Sequence, residues 1–79
     1  MARYYLSVRY KDGPDGLAVD EEGDEIADEE ALRVYVVDTA RDLMLKTRIK
    51  GVDWRTCTFE VTDEAGRLVL TMPFAEAIQ

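Results

Sequence analysis

Residues 29–48, with the sequence EEALRVYVVDTARDLMLKTR, decide the fold of this chain. Apolar side chains recur there at the spacing of one helix face, and they are Leu32, Tyr35, Val36, Ala40 and Leu43. Asp28 precedes the stretch as a candidate N-cap and the first turn is acidic, whereas Lys46 and Arg48 lie in the last turn. Charge at both ends matches the helix dipole, so the stretch predicts a helix that ends before Gly51.

The segments on either side of this helix alternate between apolar and polar residues, as half-buried β-strands do. Residues 3–10 form the first such strand, and a turn at 11–16 leads to a short second strand at 17–19. Residues 56–62 and 67–74 form a second hairpin. The side chains predicted to face the core from the strands are Tyr4, Leu6, Val8, Tyr10, Cys57, Phe59, Val61, Leu68, Leu70, Met72 and Phe74.

The order of these elements predicts one α+β domain over residues 1–79 with the arrangement β-β-α-β-β. A four-stranded, mostly antiparallel sheet would lay its apolar face on one long helix. The opposite face of the sheet carries polar residues, so we expect it to contact solvent. A chain of 79 residues has no room for a second core.

Composition and charge argue against several classes of function. The net charge of −7 opposes binding to nucleic acids and to anionic membranes, because both require cations. The sequence has no histidine, which is the side chain best suited to proton transfer near neutral pH and the commonest zinc ligand. No apolar run approaches the roughly 20 residues that span a bilayer, and the first residues lack a signal-peptide pattern. We therefore expect a cytoplasmic protein.

The segment 20–30 is the most acidic part of the chain, with eight acidic residues and no basic one. Carboxylate oxygens suit calcium or magnesium. An EF-hand loop counted from Asp20, however, needs a glycine at the position of Glu25. We therefore predict no metal site and no cofactor here. The segment is interpreted as a solvated connector that caps the helix, with Ile26 entering the core.

The residues that could take part in catalysis do not form a recognisable group. Cys57 has no histidine to activate it, and its place in an alternating strand predicts burial. Carboxylate pairs such as Asp20 with Asp24, or Glu60 with Glu64, are expected by chance in so acidic a chain. The sequence therefore predicts a protein that is not an enzyme.

Apolar residues that lie off the core stripe of the helix indicate a second contact surface. Trp54, which lies outside the alternating pattern, belongs either to this surface or to the end of the core. The candidate interface residues are Val34, Val37, Arg41, Met44, Leu45, Arg48 and Trp54. A homodimer is the simplest explanation. The alternative is a wide core stripe with scattered apolar residues on the surface.

Three hypotheses about function follow. The leading one is a protein-interaction domain that forms a homodimer and binds a protein partner whose identity the sequence does not give. The second is an antitoxin-like or nucleic-acid-associated regulator that uses Arg3, Tyr5 and Arg9 on the open face of the sheet. The third, least favoured, is a small metal-dependent enzyme. No membrane partner is expected under any of them.

Three short motifs occur in a fixed order along the chain. Arg3-Tyr4-Tyr5 opens it, residues 20–25 have the sequence Asp-Glu-Glu-Gly-Asp-Glu, and residues 59–67 fit Phe-x-Val-x-Asp-x-x-Gly-Arg, followed by Leu68. With these motifs the chain resembles a family of short bacterial proteins known as a domain of unknown function. The resemblance implies a small α+β architecture and brings no activity. In arrangement the chain is also similar to the sheet-and-helix domains of HicB-type antitoxins, which is an analogy of fold alone.

Overall fold

A computed structural model of the chain describes residues 2–46 and 53–78. The strands and helix in these residues are β1 (Ala2–Arg9), β2 (Leu17–Ala18), β3 (Asp24–Ile26), α1 (Glu29–Lys46), β4 (Thr58–Thr62) and β5 (Leu68–Pro73). Short 3₁₀ turns occupy Pro14–Gly16, Trp54–Thr56 and Phe74–Ile78. This arrangement, a helix over an antiparallel sheet, confirms the predicted α+β class.

β1 organises the sheet, because strands pair with both of its edges. One edge pairs with β4, from Tyr5 opposite Thr62 to Arg9 opposite Thr58. The other edge pairs with β2 near its end and with β3 near its start. β5 pairs antiparallel with β4 and forms the outer edge, so the order is β2-β1-β4-β5 with β3 also on β1.

The sheet has five strands and not the four that the sequence predicts, because β3 forms within the acidic connector. It pairs with the first residues of β1, placing Ile26 opposite Ala2 and Asp24 opposite Tyr4. A three-residue strand that contains Asp24 and Glu25 carries little strand propensity of its own. Ile26 is nevertheless buried, as the sequence predicts.

The core lies between α1 and the sheet. Its buried apolar side chains are Ile26, Leu32, Val36, Ala40, Cys57, Phe59, Val61, Met72, Phe74 and Ala77. Phe74 is fully buried and stacks on Phe59, with ring centroids 4.5 Å apart. Trp54 stacks on the Phe74 ring at 5.4 Å. The turn after β5 therefore joins the sheet to the aromatic cluster that closes one end of the core.

Leu68 does not face the core, and the prediction that it does is wrong. Val61 pairs with Leu70, whereas the next residue, Thr62, pairs with Leu68, so Val69 is an extra residue in β5. An extra residue turns the chain beyond it to the other face of the sheet. Leu68 is accordingly 59% exposed.

Two tyrosines predicted to lie in the core are partly exposed and use their hydroxyl groups at its margin. The Tyr10 hydroxyl donates to the backbone oxygen of Asp15 at 2.8 Å. The Tyr35 hydroxyl donates to Asp24 Oδ2 at 2.8 Å, and this hydrogen bond raises the pKa of Tyr35. The second bond ties α1 to β3.

The helix begins where the sequence predicts. Asp28 Oδ1 accepts the backbone N–H of Ala31 at 2.8 Å, which is the N-cap arrangement that satisfies a free amide of the first turn. α1 is described as far as Lys46. The predicted last turn at Arg48 and the stop at Gly51 lie outside the described residues.

Candidate functional site

Asp20 is the centre of the turn that joins β2 to β3. Its Oδ2 atom accepts the backbone N–H of Leu6 at 3.0 Å, and its Oδ1 atom accepts those of Glu22 and Gly23 at 3.1 and 3.2 Å. Leu6 lies on the β1 edge between the residues paired with β3 and those paired with β2. The carboxylate thus accepts the Leu6 amide, which would otherwise need a neighbouring strand as its hydrogen-bond partner. The Ser7 hydroxyl accepts the Asp20 N–H at 3.1 Å.

Gly23 and Arg3 fix the same turn from its other end. Gly23 has a φ of +71°, and a side chain there would lie 2.9 Å from both the Tyr4 carbonyl and the Tyr5 ring. Arg3 Nη1 donates to the carbonyl oxygens of Glu22 at 2.8 Å and Gly23 at 3.3 Å. The opening motif and the acidic motif of the sequence are therefore in direct contact, and their geometry gives both a structural role.

Two carboxylates of the acidic segment, those of Asp20 and Asp28, bind backbone amides. Asp20 uses both oxygens on backbone N–H groups, and Asp28 caps α1. Across residues 2–46 and 53–78, no three Asp, Glu or Cys side chains are grouped so that they could hold a metal ion. The bonds of Asp20 and Asp28 to amides support the interpretation of the segment as a connector that caps the helix.

The third motif also builds a turn, between β4 and β5. Asp63 Oδ1 accepts the backbone N–H groups of Ala65 at 2.9 Å and Arg67 at 3.0 Å, and Oδ2 accepts Arg67 Nε at 3.0 Å. The backbone amide of Arg67 is the main reason that the pKa of Asp63 is lowered. Gly66 supplies the positive φ of the turn, +80°. Asp63, Gly66 and Arg67 thus have a structural role as well.

Cys57 is buried between α1 and the sheet, in agreement with the prediction of a structural thiol. Its Sγ–H group points to the carbonyl oxygen of Asp53 at 3.5 Å. Burial raises the pKa of the Cys57 thiol, which lowers the fraction present as the nucleophilic thiolate.

We expect Cys57 in the native protein to react with Ellman's reagent at least about 100-fold more slowly than in the urea-unfolded chain at pH 8, because access requires opening of the core. The measurement is the rate of thionitrobenzoate release with and without denaturant. Free cysteine in the same two buffers is the control for the effect of urea on the chemistry. A native rate close to that of free cysteine would contradict the burial of this thiol.

The basic residues of the outer sheet face are held in contacts within the chain. Arg9 Nε donates to Glu60 Oε2 at 2.8 Å, and Arg9 Nη1 donates to the Gly13 carbonyl at 2.7 Å. Arg3, already bound to the acidic turn, also lies 3.5 Å from the Glu25 carboxylate. A phosphate would have to displace these carboxylates, so this face favours nucleic-acid binding less than the sequence alone suggested.

β5 forms an open edge of the sheet and borders a cleft. The residues that line this cleft are Tyr4, Glu29, Leu32, Arg33, Val69 and Leu70. Glu29 and Arg33 carry opposite charges, so the cleft favours neither anions nor cations. Pro73 lies at the end of the edge, where a missing N–H is tolerated and hinders pairing with another strand.

The surface of α1 that points away from the sheet carries apolar residues between charged ones. This outer helix face consists of Glu30, Val34, Val37, Asp38, Arg41 and Leu45. Val34 is 58% exposed and Leu45 is 82% exposed. Val34, Val37, Asp38 and Arg41, together with Arg33, surround a shallow depression on this face.

The remaining candidate interface residues do not all lie on the outer helix face. Val37, a member of the outer helix face, and Met44 are both half-buried and pack against the core. Trp54 packs on Phe74, in agreement with the alternative that it closes the end of the core. Arg48 lies outside the described residues.

Arg41 has a contact that the sequence does not indicate. Its Nε atom donates to the backbone oxygen of Ala77 at 2.6 Å, which ties the turn after β5 to α1. The two residues are 36 positions apart, and a bond from a side chain to a carbonyl leaves no pattern in the sequence.

In the described part of the chain, no helix combines the length and the apolar character that crossing a bilayer requires.

Comparison with known proteins identifies the family and nothing further. No curated protein matches the chain, and no solved structure matches it. The model of the family described as domain of unknown function DUF6894 matches residues 3–75, a span that includes all three motifs. The chain therefore belongs to the DUF6894 family.

Proposed function

We propose that this protein is a small, non-enzymatic interaction module that acts in the cytoplasm as a homodimer and binds a protein partner. The observation that carries the proposal is the outer helix face, where Val34 and Leu45 are the most exposed apolar side chains of α1. The two residues lie on one face of α1 about three turns apart, with the half-buried Val37 between them. Exposed apolar side chains among charged ones are typical of protein–protein contact surfaces.

The roles of the motif residues support a function without catalysis. Asp20, Asp63 and Arg3, which belong to the three motifs of the sequence, all bind backbone groups in turns. The buried Cys57 thiol has a raised pKa, which disfavours nucleophilic chemistry. The polar groups that the sequence singles out therefore maintain the fold.

The small size of the chain supports self-association. A chain of 79 residues buries only about 60–65% of the surface that its unfolded form exposes, so the core alone gives modest stability. A second copy that binds only the folded state adds stability by mass action. α1 covers one face of the sheet, and its own outer helix face carries exposed apolar residues that such a contact would cover.

Val34→Asp is expected to weaken the homodimer by at least about 30-fold, because a two-fold interface would lose two apolar contacts and would have to desolvate two new carboxylates. Sedimentation equilibrium of wild-type protein and variant over a range of concentrations measures the effect. Val19→Asp is the matched control, since Val19 is 63% exposed and follows β2, outside the outer helix face. The control should associate as the wild type does.

Two results would contradict the proposal. A wild-type protein that stays monomeric at millimolar concentration forms no homodimer of functional strength. Equal dissociation constants for Val34→Asp and wild-type protein would place the dimer contact away from the outer helix face.

A further inference from the structure

We infer that two copies of this chain pair through the outer helix face in antiparallel orientation, with Val34 of each copy against Val37 of the other and Glu30 of each beside Arg41 of the other. This inference rests on the proposed homodimer and adds its register. A wrong register and a missing dimer give different experimental results.

The spacing of the four residues matches the seam of a helix pair. Glu30, Val34, Val37 and Arg41 follow one another at intervals of four, three and four residues. They span eleven residues in three intervals, close to the 3.6 residues of one helical turn, so they lie along one line of α1. Alternating intervals of three and four residues are also the spacing of the a and d positions in a coiled-coil seam. Glu30, Val34 and Arg41 are exposed, whereas Val37 is half-buried between this line and the buried stripe of Leu32, Val36 and Ala40.

The depression on the outer helix face has the form of a hole in that packing. Val34, Val37, Asp38 and Arg41 stand at positions i, i+3, i+4 and i+7 around it. A hole in a paired helix is formed by four residues with this spacing, and one side chain of the facing helix inserts into it. In the antiparallel register the inserted side chain is Val34 of the second copy, which is small enough for a shallow site.

Charge distinguishes the antiparallel from the parallel orientation. Glu30 precedes Val34 by four residues, and Arg41 follows Val37 by four. The register that brings the two valines together therefore also brings Glu30 to Arg41, twice in a two-fold dimer. A parallel pair would instead place Glu30 against Glu30 and Arg41 against Arg41. Antiparallel packing also aligns the two helix dipoles favourably.

The Arg41 side chain is already held in place before any contact forms. Its Nε atom donates to the Ala77 carbonyl at 2.6 Å, and this bond restricts its rotamers. A restrained side chain loses less conformational entropy when a carboxylate binds it. Val37 is likewise restrained, because it is half-buried against the core.

The register is tested with two variants that carry opposite charge changes, each assayed alone and then mixed with the other. Glu30→Arg places arginine against Arg41, and Arg41→Glu places glutamate against Glu30, so each variant alone is expected to associate at least about 10-fold more weakly than wild type. In the heterodimer that forms in an equimolar mixture, both contacts are again between opposite charges. We expect native mass spectrometry of the mixture, with one variant labelled with 15N, to show heterodimer at wild-type abundance.

Glu29→Arg is the matched control, because it makes the same charge change in the same helical turn but at the cleft beside Tyr4 and not on the outer helix face. A wild-type dimer that Glu30→Arg weakens no more than Glu29→Arg does would overturn the register and leave the homodimer intact. A monomeric wild-type protein would overturn the proposed function itself. Glu30 is exposed, so this comparison decides the question even if Arg41→Glu, which loses its bond to Ala77, unfolds.

Discussion

Replacing Phe74 with alanine is expected to lower the free energy of unfolding by about 3–5 kcal/mol. Phe74 is fully buried and stacks on both Phe59 and Trp54, so its removal leaves a cavity and ends two aromatic contacts. A chain of 79 residues has a total stability of about 4–12 kcal/mol. The loss is a large share of that total, so the variant should unfold at a much lower urea concentration than the wild type.

Urea denaturation followed by far-ultraviolet circular dichroism measures this loss, at one fixed protein concentration because a homodimer makes stability depend on it. Val69→Ala is the control in the adjoining strand, since Val69 is 44% exposed, and it should cost less than about 1 kcal/mol. Similar unfolding midpoints for the two variants would be inconsistent with a core that closes on Phe74.

Replacing Asp20 with alanine is expected to lower the free energy of unfolding by about 2–4 kcal/mol. The change removes the acceptor for the amides of Leu6, Glu22 and Gly23, and the Leu6 amide is partly buried at the edge of β1. A buried donor without a partner costs more than an exposed hydrogen bond contributes. The attachment of β3 to the sheet depends on the same turn. We therefore expect β3 to detach from the sheet when this turn is disrupted.

Asp20→Asn and Glu21→Ala are the comparisons in the same segment. Asparagine keeps an acceptor oxygen, so Asp20→Asn should fall between wild type and Asp20→Ala in the same urea experiment. Glu21→Ala removes one negative charge from an exposed position and should leave stability within about 0.5 kcal/mol of wild type. If Asp20→Ala and Glu21→Ala lost equal stability, overall charge and not the hydrogen bonds would explain the effect.

The elements with strong periodicity could be predicted from the sequence. α1 starts at Glu29 because an N-cap, an acidic first turn and an apolar stripe all indicate the same start. Cys57, Phe59 and Val61 are buried because strict alternation leaves only one choice of face. Where several local signals agree, the fold follows from them.

The exceptions are places where the sequence fits two arrangements. Leu68, Val69 and Leu70 are all apolar, so either face of β5 satisfies the pattern and only pairing with β4 reveals the extra residue. β3 forms in a segment whose composition is typical of a loop, because β1 offers it an unpaired edge. Register and edge pairing are properties of the assembled sheet.

The candidate interface likewise combines residues that periodicity predicts with contacts that it does not predict. Val34 and Leu45 could be identified from helical period alone, because they lie opposite the core stripe of α1. The bonds from Asp20 to Leu6 and from Arg41 to Ala77 could not, since each joins a side chain to a distant backbone group. Such contacts depend on the folded path of the chain and leave no periodic signal.

The Asp20 turn also limits how related sequences can change in length. β2 and β3 pair with the same edge of β1, and the turn sets the number of residues between them. An insertion or deletion of one residue there would rotate Ile26 out of the core and present Glu25 to it. Homologues should therefore exchange residues freely at Val19 and Glu21 while keeping the interval from Asp20 to Ile26 constant.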